Sequence, residues 1–296
     1  MKPVIRKLGT IDLDIVETTP VVFRGILYRF EYIRTRYKSN QTGDSYFRFV
    51  TVETGDFSRS FGHGYHLGSA FVHQDKVYVF AVKSWGGYAI FMLESEDLDN
   101  WSKPRMILHD PRWAAYNTSV CIGRDRFIMT YELGKPEEEV GVPFTIFFAE
   151  SDDLNNWRKC AGVAPFTPER YSACPTIRFC DDYYYMIYLE GNYEKGFRQH
   201  LVRSADLRLW QQSPFNPFLD FSAEDYLCKA DFSEVETGTI NKAKNINNSD
   251  ADLCEYKNRI VIYYSWGDQK GVEFLAEAVA PGQLNHFLAS WFPEAD

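Results

Sequence analysis

The chain has 296 residues, which is enough for two average domains or for one large all-β domain with a sizeable core. It carries 32 Lys and Arg against 41 Asp and Glu, a net charge of -9, and this balance argues against the basic surface that nucleic acid or an anionic membrane binds. Phe, Trp and Tyr make up 17% of the residues, which favours β-strands and aromatic platforms of the kind that stack on sugars.

The amino terminus, MKPVIRKLGTIDLDIVE, lacks the apolar stretch of a secretion signal, and no run approaches the roughly 18 apolar residues of a membrane span. We therefore expect a soluble chain without a membrane partner, and we leave its compartment and oligomeric state open. The six cysteines show no metal-ligand spacing and are too sparse for a disulfide scaffold, so most of them are expected to be buried thiols.

Five segments along the chain have the shape of a β-hairpin, in which two apolar runs flank a short polar turn. Aligned on their turns, they begin at Glu17, Leu67, Asn117, Ala173 and Asp250, in steps of 50, 50, 56 and 77 residues. A unit that recurs at this period is typical of a repeat architecture.

A turn signature follows three of these hairpins. The segments ESEDLDNW, ESDDLNNW and RSADLRLW end at Trp101, Trp157 and Trp210, which are 56 and 53 residues apart. Each signature follows a third strand-like run and combines turn-forming Ser and Asp with an apolar Leu and a Trp that can cover the end of the unit. A hairpin, a third strand and room for a fourth are the parts of a propeller blade, so the sequence predicts an all-β, five-bladed β-propeller.

The five blades are predicted to form a single domain over residues 1–296, with low helix content. The longest interval between hairpins contains an insertion at residues 211–246, and we expect it to run over one face as a wall of the site.

The five hairpins and their Ser-x-Asp-Leu-x-x-Trp turns resemble the five-bladed β-propeller glycoside hydrolases of families 43, 62, 32, 68 and 117, from about Glu17 to Phe292. The resemblance implies an active site in a funnel at the channel axis, with carboxylates projecting from the innermost strands. Two positions depart from the pattern. Thr19 stands where an Asp would precede Pro20, and Ala173 stands where family 32 carries the acid of its Glu-Cys-Pro step.

Because glycosidic cleavage generally uses two carboxyl groups, the acids at the starts of the innermost strands are the first candidates. Glu17 and Asp250 hold the aligned first position of their blades, and Asp252 shares a strand face with Asp250. In a closed ring blade five abuts blade one, so Glu17 and the pair Asp250 and Asp252 are expected to be neighbours. Glu17 and Asp250 are predicted to be catalytic and Asp252 to bind substrate; alternatively, these acids are turn residues that bind exposed backbone amides.

A second set of acids ends the second strands of three hairpins, at Glu31, Glu132 and Glu190. An acid at this position can reach the funnel rim and serve as a general acid, or it can form an ion pair with a nearby Arg or Lys. Glu190 is predicted to be the catalytic acid, and Glu31 is predicted to bind substrate. Glu224 and Asp225, in the insertion, are weaker candidates.

Polar and aromatic residues at the same rim are predicted to bind sugar hydroxyls and rings, and Arg170 could bind a carboxylated or sulfated sugar. For any one of them the alternative is a structural hydrogen bond or core packing. The predicted binding residues are His66, Asn117, Arg170, Tyr171, Trp85, Trp113 and Trp266, and Ser172, Asn248 and Tyr116 are further candidates.

These features predict a glycoside hydrolase that removes a terminal sugar from a plant or algal oligosaccharide, with inversion at the reacting carbon. No cofactor is expected, since no Cys/His metal cluster is visible, although a cation held on the channel axis by backbone and water stays open. The alternatives are a carbohydrate-binding propeller without catalysis, as the residues Thr19 and Ala173 suggest, and a protein-interaction propeller.

Overall fold

The computed structural model describes residues 2–38, 40 and 42–293, so positions 1, 39, 41 and 294–296 of the predicted domain lie outside the described residues. The described chain is all-β and contains several four-stranded antiparallel sheets. The strands in chain order are β1 (Arg6–Leu13), β2 (Thr18–Phe23), β3 (Ile26–Ile33), β4 (Tyr46–Thr51), β5 (His66–His73), β6 (Lys76–Val82), β7 (Ala89–Ser95), β8 (Arg105–His109), β9 (Ala114–Ile122), β10 (Phe127–Lys135), β11 (Thr145–Ser151), β12 (Trp157–Lys159), β13 (Ala173–Cys180), β14 (Tyr183–Asn192), β15 (Gly196–Ser204), β16 (Gln211–Gln212), β17 (Asn247–Tyr256), β18 (Arg259–Gly267) and β19 (Glu273–Pro281). The short helices are α1 (Glu137–Val140), α2 (Glu234–Lys242) and α3 (Leu284–Ala289), and a 3-10 turn covers Ala223–Tyr226.

Consecutive strands pair as hairpins and form five antiparallel groups. Group 1 is β2 to β4, group 2 is β5 to β8, group 3 is β9 to β12, group 4 is β13 to β16, and group 5 is β17 to β19 with β1 on its outer edge. The strand β1 pairs with β19, with Arg6 opposite Val279, so the start of the chain completes the last group. Groups 4 and 5 are continuous only through one parallel pairing, of Phe197 with Asn247.

The first strands of the five groups contact one another in a closed order. β2 contacts β5, β5 contacts β9, β9 contacts β13, β13 contacts β17, and β17 returns to β2. All five therefore present their starting residues at one end of a common axis. Side-chain hydrogen bonds join neighbouring first strands: Thr19 Oγ1 with Ala70 N (3.3 Å), Ser69 Oγ with Thr118 Oγ1 (2.9 Å), Ser119 Oγ with Ile177 N (3.1 Å), and Thr176 Oγ1 with Ala251 O (2.9 Å).

The repeated Ser-x-Asp-Leu-x-x-Trp signature forms the same turn each time. In its first copy Ser95 Oγ accepts a hydrogen bond from Leu98 N (2.9 Å), and Asp97 Oδ1 accepts one from Asn100 N (2.7 Å). Side-chain acceptors of this kind replace the strand partners that the backbone loses at a turn. The indole Nε1 donates to the leucine carbonyl in all three copies: Trp101 to Leu98 (3.0 Å), Trp157 to Leu154 (2.8 Å) and Trp210 to Leu207 (3.2 Å).

The tryptophan of each turn packs on the preceding group rather than only on the end of its own. Trp101 stacks on Phe61, a residue bridged to β4, with ring centroids 3.8 Å apart. Trp157 packs edge-on against Phe80 of group 2 at 5.9 Å, and Trp210 stacks on Phe148 of group 3 at 5.7 Å. The recurring Trp therefore joins neighbouring groups, because a large ring at this position buries apolar area on both sides.

The long interval before group 5 packs against β1 and β18. Gln211 and Gln212 belong to strand β16, so the excursion begins after them. Tyr226 packs edge-on against Trp266, and Lys7 Nζ binds the buried Asp225 at 2.7 Å. None of the described residues that line the pocket presented below comes from residues 211–246. The expected wall is therefore not part of the described lining of this pocket, and the ion pair of Asp225 and the aromatic contact of Tyr226 join the insertion to β1 and β18.

Asp225 is the centre of this attachment. It is fully buried and accepts hydrogen bonds from Lys7 Nζ (2.7 Å), Tyr264 Oη (2.7 Å) and the side-chain amides of Asn245 (2.9 Å) and Asn248 (3.2 Å). Removal of one partner of a buried ion pair leaves an uncompensated charge.

Replacement of Asp225 by Ala is therefore expected to lower the free energy of unfolding by about 3 to 5 kcal/mol in urea denaturation. Glu224→Ala, at the exposed neighbouring position, is the control and is expected to change stability by less than about 0.5 kcal/mol. Equal stability of the two variants would contradict the attachment described for this segment.

Among the described residues no helix has both the length and the apolar character that crossing a membrane requires.

Candidate active site

A pocket opens at the end of the axis where the first strands begin, and it contains about 780 Å³ of space including its open mouth. Each group contributes one residue from the start of its first strand: Glu17, Leu67, Asn117, Cys174 and Asp250.

The fourth contribution corrects the sequence alignment by one residue. Cys174 lines the pocket, whereas Ala173, the predicted first position, is 1% exposed and packs with Leu189 and Phe197 in the core. The cause is a β-bulge, because the pairing register between β13 and β14 shifts between Ala173 and Thr176.

The same irregularity recurs in three groups and explains how the strand starts point into the pocket. Leu67, Cys174 and Asp250 have φ angles of 52°, 50° and 52°, and each lies within a register shift of its hairpin. Non-glycine residues seldom occupy this region, and those that do often belong to functional sites. The bulge at Asp250 therefore places a carboxylate at a position where the backbone itself is constrained.

Glu17 and Asp250, which are 233 residues apart in the chain, share this pocket as the ring closure predicted. Burial raises the pKa of Glu17, and the neighbouring charge of Asp250 raises it further, whereas Arg34 lowers it. Burial also raises the pKa of Asp250, and hydrogen bonds from Ser249, Cys174 and Ser265 oppose the shift. The charge of Asp250 therefore disfavours ionisation of Glu17.

The proton of this pair is best placed on Glu17. Its Oε2 atom is buried and has no hydrogen-bond partner among the described residues, whereas hydrogen bonding from Ser249, Cys174 and Ser265 opposes the rise in the pKa of Asp250. Hydrogen-bond donors stabilise the ionised form of a carboxyl group. Asp250 is therefore the carboxylate of the pair and Glu17 the acid.

Glu132 is a third carboxyl group in the pocket and comes from the second strand of group 3. Its Oε2 accepts hydrogen bonds from Cys174 N (2.8 Å) and Asn117 Nδ2 (3.2 Å), which fix its orientation. Burial raises its pKa to about 7 despite these two donors, and the charge of Asp250 contributes to the rise. Glu132 is therefore a carboxyl group that both holds and releases a proton near neutral pH.

The pKa of Glu132 predicts a dependence of stability on pH. Between pH 4.5 and about 7 the folded chain retains a proton that the unfolded chain releases, so the free energy of unfolding falls as the pH rises through this interval. Glu132→Gln removes this effect, and we expect the variant to gain on the order of 3 kcal/mol relative to the wild type between pH 4.5 and 8.

Urea denaturation at both pH values measures this gain. Glu138→Gln is the control, because the Glu138 side chain is 71% exposed. If the difference between Glu132→Gln and wild type were the same at both pH values, the raised pKa would be contradicted.

The pocket walls carry aromatic and cationic side chains. Trp85 and Tyr116 pack edge to face at 6.0 Å on one wall, and Phe144 lies beside Tyr116 at 4.6 Å. Further lining residues are Tyr171, Arg34, Arg36, Gln269, Lys270 and Glu273. Aromatic faces next to carboxyl groups suit a ligand that has both C–H surfaces and hydroxyl groups.

The structure thus brings together five of the predicted site residues, namely Glu17, Asp250, Asn117, Tyr171 and Trp85. Asp252 lies deeper, where the channel narrows, and its carboxylate is paired with Arg178 and accepts a hydrogen bond from Leu253 N at 2.7 Å. The expected proximity of Asp252 to Glu17 is present, but its charge is occupied by a structural contact.

The predicted acid Glu190 lies outside the described lining of the pocket. It accepts hydrogen bonds from Arg170 Nε (3.0 Å) and Tyr188 Oη (2.8 Å), so Glu190 and the predicted anion-binding residue Arg170 bind each other. Glu31 is fully buried between Arg29 and Arg48, each at 2.6 Å. Ion pairs therefore occupy the three groups that were expected to reach the substrate, and none of them belongs to the described lining of the pocket.

Three other predicted binding residues also lie elsewhere. His66 Nδ1 is hydrogen bonded to Tyr32 Oη at 2.8 Å and does not belong to the described pocket lining. Trp113 is 4% exposed, and Trp266 is fully buried with its Nε1 donating to Thr10 Oγ1 at 2.8 Å. Neither indole can stack on a ligand, because both pack in the hydrophobic core.

Sequence reasoning ranked Glu132 below Glu190 and missed Glu273, Arg36 and Lys270. The segment FIMTYELGK contained a signal for Glu132, because a lone acid in an apolar strand is costly to bury unless it is hydrogen bonded, paired or functional. Glu273 begins the third strand of group 5, and Lys270 lies in the turn before it, a part of the repeat that the alignment of first strands ignores. In the part of the chain that the structure describes, no group of three or more His, Cys, Asp and Glu residues could hold a metal ion.

Comparison with known proteins identifies relatives by fold. No family model and no curated protein match the chain. Among solved structures, one described only as a glycoside hydrolase is similar over 99% of this chain and 96% of its own length, with a TM-score of 0.62 and 14% identity. A xylan beta-1,4-xylosidase from Bacillus halodurans C-125 gives a TM-score of 0.60 and 14% identity over 93% of this chain and 54% of its own length.

An alpha-L-arabinofuranosidase from Lactobacillus brevis has a TM-score of 0.61 and 10% identity, over 92% of this chain and 93% of its own length. Family-43 glycoside hydrolases are also among the similar structures. The chain spans about half the length of the xylosidase and nearly the whole length of the arabinofuranosidase. The resemblance predicted from the hairpins and turns is confirmed at the level of the fold, which is what identities this low can show. The chain has the fold of these glycoside hydrolases.

Proposed function

We propose that the chain is a single-domain, five-bladed β-propeller glycoside hydrolase that removes a terminal sugar from a plant or algal oligosaccharide. The five antiparallel groups are its blades, which begin at Glu17, Leu67, Asn117, Cys174 and Asp250. The fold shared with solved glycoside hydrolases supports this class of reaction. Because fold alone is only a prior on function, the residues of the site must carry the proposal.

One observation carries the proposal. Three carboxyl groups from three different strand groups, Glu17, Glu132 and Asp250, line one pocket, and burial raises the pKa of each while hydrogen bonds oppose the rise to different extents. Glycosidic cleavage by a pair of carboxyl groups needs one that is protonated and one that is ionised. Environments that separate the pKa values of neighbouring acids identify the acid and the base.

In the proposed reaction Glu132 is the general acid and Asp250 is the general base. Asp250 removes a proton from a water molecule as its oxygen attacks the anomeric carbon, and the bond from that carbon to the leaving oxygen breaks. Glu132 gives its proton to the leaving oxygen, and exchange with solvent restores both groups. Glu17 keeps its proton and limits the negative charge beside Asp250. This single displacement inverts the configuration at the anomeric carbon.

The shape of the site supports attack at a chain end. The aromatic wall of Trp85 and Tyr116 stands on one side, and the turn that carries Gln269, Lys270 and Gly271 stands on another. A pocket that is walled in this way admits one terminal sugar, whereas an open groove would admit the middle of a polysaccharide.

A second candidate function is carbohydrate binding without catalysis. Three strand starts carry uncharged residues, namely Thr19, Ala173 and Asn117. The side-chain amide of Asn117 donates a hydrogen bond to Glu132. This function predicts sugar binding with no release of reducing sugar. It is less well supported, because a binding site has no need of three buried carboxyl groups that cost desolvation.

Hydrolysis of aryl glycosides of arabinofuranose, xylose, galactose and rhamnose tests the proposal. We expect release from at least one glycoside, with kcat/KM falling as the pH rises through about 7, where Glu132 loses its proton. A kcat/KM that does not change with pH on any cleaved glycoside would contradict the role of Glu132. Absence of cleavage together with saturable sugar binding would favour the second candidate.

A further inference from the structure

Two cationic side chains on the wall of the proposed catalytic pocket have no carboxylate partner among the residues that the structure describes. Arg34 also lines the pocket, but its guanidinium is paired with Asp14 and with Glu273 Oε2 at 3.2 Å. Arg36 and Lys270 form no ion pair with any described residue. The side chain of Lys270 instead lies over the ring of Tyr193, with Nζ 4.8 Å from its centroid. These two charges are free to bind a ligand.

Both cations lie at one turn, to which Lys270 belongs and against which Arg36 packs. Gly271 has a φ of +107°, and a Cβ built there would lie 3.5 Å from Nη2 and 3.8 Å from Nη1 of Arg36. The guanidinium of Arg36 therefore packs on the turn between β18 and β19, next in the chain to Lys270. Because glycine leaves this face without a side chain, an arginine from the segment after β3 can reach it.

The placement of these charges is unusual for this chain. The net charge is -9, and the floor of the same pocket carries Glu17, Glu132 and Asp250. Arg36 and Lys270 line the same pocket as these carboxyl groups, so a ligand held by the carboxyl groups can also reach the two cations. Gln269 of the same turn has a buried Oε1 without a described partner, which can accept a hydrogen bond from a ligand hydroxyl.

We propose that the terminal sugar bound in this pocket carries a carboxylate, as in a hexuronic acid, and that Arg36 and Lys270 bind that carboxylate. The inference rests on the proposed function and specifies its substrate class. With the reacting bond between Asp250 and Glu132, the carboxylate points to the turn of Lys270. The planar fork of Arg36 matches the two oxygens of a carboxylate, and Lys270 adds a point charge.

Binding of free monosaccharides, measured by titration calorimetry on the whole chain, tests this inference without requiring turnover. The probes are galacturonic and glucuronic acid, their neutral counterparts galactose and glucose, and galactose 6-sulfate. We expect at least one uronic acid to bind about tenfold or more tightly than its neutral counterpart, as charge-assisted hydrogen bonds provide. This ratio is expected to shrink in high salt, because both cations are exposed to solvent.

The double variant Arg36→Gln with Lys270→Gln is expected to bring the ratio of the two affinities close to one. The matched control is Arg59→Gln with Lys103→Gln, which removes the same charge from exposed positions outside the pocket and is expected to keep the ratio. Thermal unfolding of both double variants verifies that each folds.

Three results would overturn the inference: equal affinity for uronic and neutral sugars in the wild type, an unchanged ratio in the Arg36 and Lys270 double variant, or tighter binding of the sulfated sugar than of the uronic acid. None of these results bears on hydrolysis itself. The proposed function fails separately, if neither neutral nor uronic glycosides are cleaved.

Discussion

Replacement of Glu132 by Gln is expected to lower kcat/KM about 10²- to 10⁴-fold on glycosides with a poor leaving group, the range that general acid catalysis contributes. On glycosides with an activated leaving group, such as dinitrophenol, the loss is expected to be under about tenfold, because such a group departs without protonation. The variant should also lose the fall of activity near pH 7. Steady-state kinetics on a matched pair of aryl glycosides measures all three effects.

Glu190→Gln is the matched control, since Glu190 ends the second strand of group 4 as Glu132 sits near the end of the second strand of group 3. Its carboxylate binds Arg170 and Tyr188, so the substitution should leave the dependence on leaving group unchanged. If Glu190→Gln instead showed the loss expected of Glu132→Gln, the acid would be the one that the sequence alone favoured.

Replacement of Asp250 by Asn is expected to reduce turnover on every glycoside, activated or not, by at least about a thousandfold. The amide cannot remove a proton from water, and water activation is needed whatever the leaving group. Sugar binding should persist, because Asn keeps the size and the hydrogen-bonding oxygen of the side chain. Kinetics and calorimetry on the same preparation separate the two effects.

Asp99→Asn, on the exposed turn of group 2, is the control and should retain full activity. Asn also tolerates the positive φ of 52° at position 250, so the fold is expected to survive the substitution. Retention of wild-type kcat by Asp250→Asn would remove Asp250 from the mechanism and leave Glu17 as the remaining base.

The three acids near the ends of second strands differ in their ion pairs, which the sequence alone did not show. Glu31 is held by Arg29 and Arg48, and Glu190 by Arg170, whereas Glu132 has no ion pair among the described residues. The arginines that pair with Glu31 and Glu190 come from neighbouring strands and loops. The repeat predicts that the three acids occupy related places, but it does not predict which of them is neutralised.

The fold and the meeting of Glu17 with Asp250 followed from the sequence because they depend on repetition and closure. The Ser-x-Asp-Leu-x-x-Trp turn is a local structure whose hydrogen bonds are specified within a few residues. A ring then requires its last unit to abut its first. The start of group 4 was misplaced by one residue because a β-bulge changes register without a fixed sequence pattern.

Two of the three tryptophans that were assigned to the rim illustrate a limit of the same kind. Trp85 is 62% exposed and lines the pocket, whereas Trp266, near the end of β18, is fully buried. Burial of Trp266 follows from its packing against Tyr226 of the excursion and from the Thr10 hydroxyl of β1. Those partners come from distant parts of the chain, so no local sequence pattern around Trp266 indicates its burial.

The most direct test of the proposed hydrolase is the release of monosaccharide from plant oligosaccharides by the wild type and by Asp250→Asn, measured side by side with chromatography. The panel includes neutral oligosaccharides and oligosaccharides that end in a uronic acid. We expect release of a terminal sugar by the wild type, and loss of that release in Asp250→Asn with sugar binding retained. Sugar binding by both proteins with no release by either would contradict it.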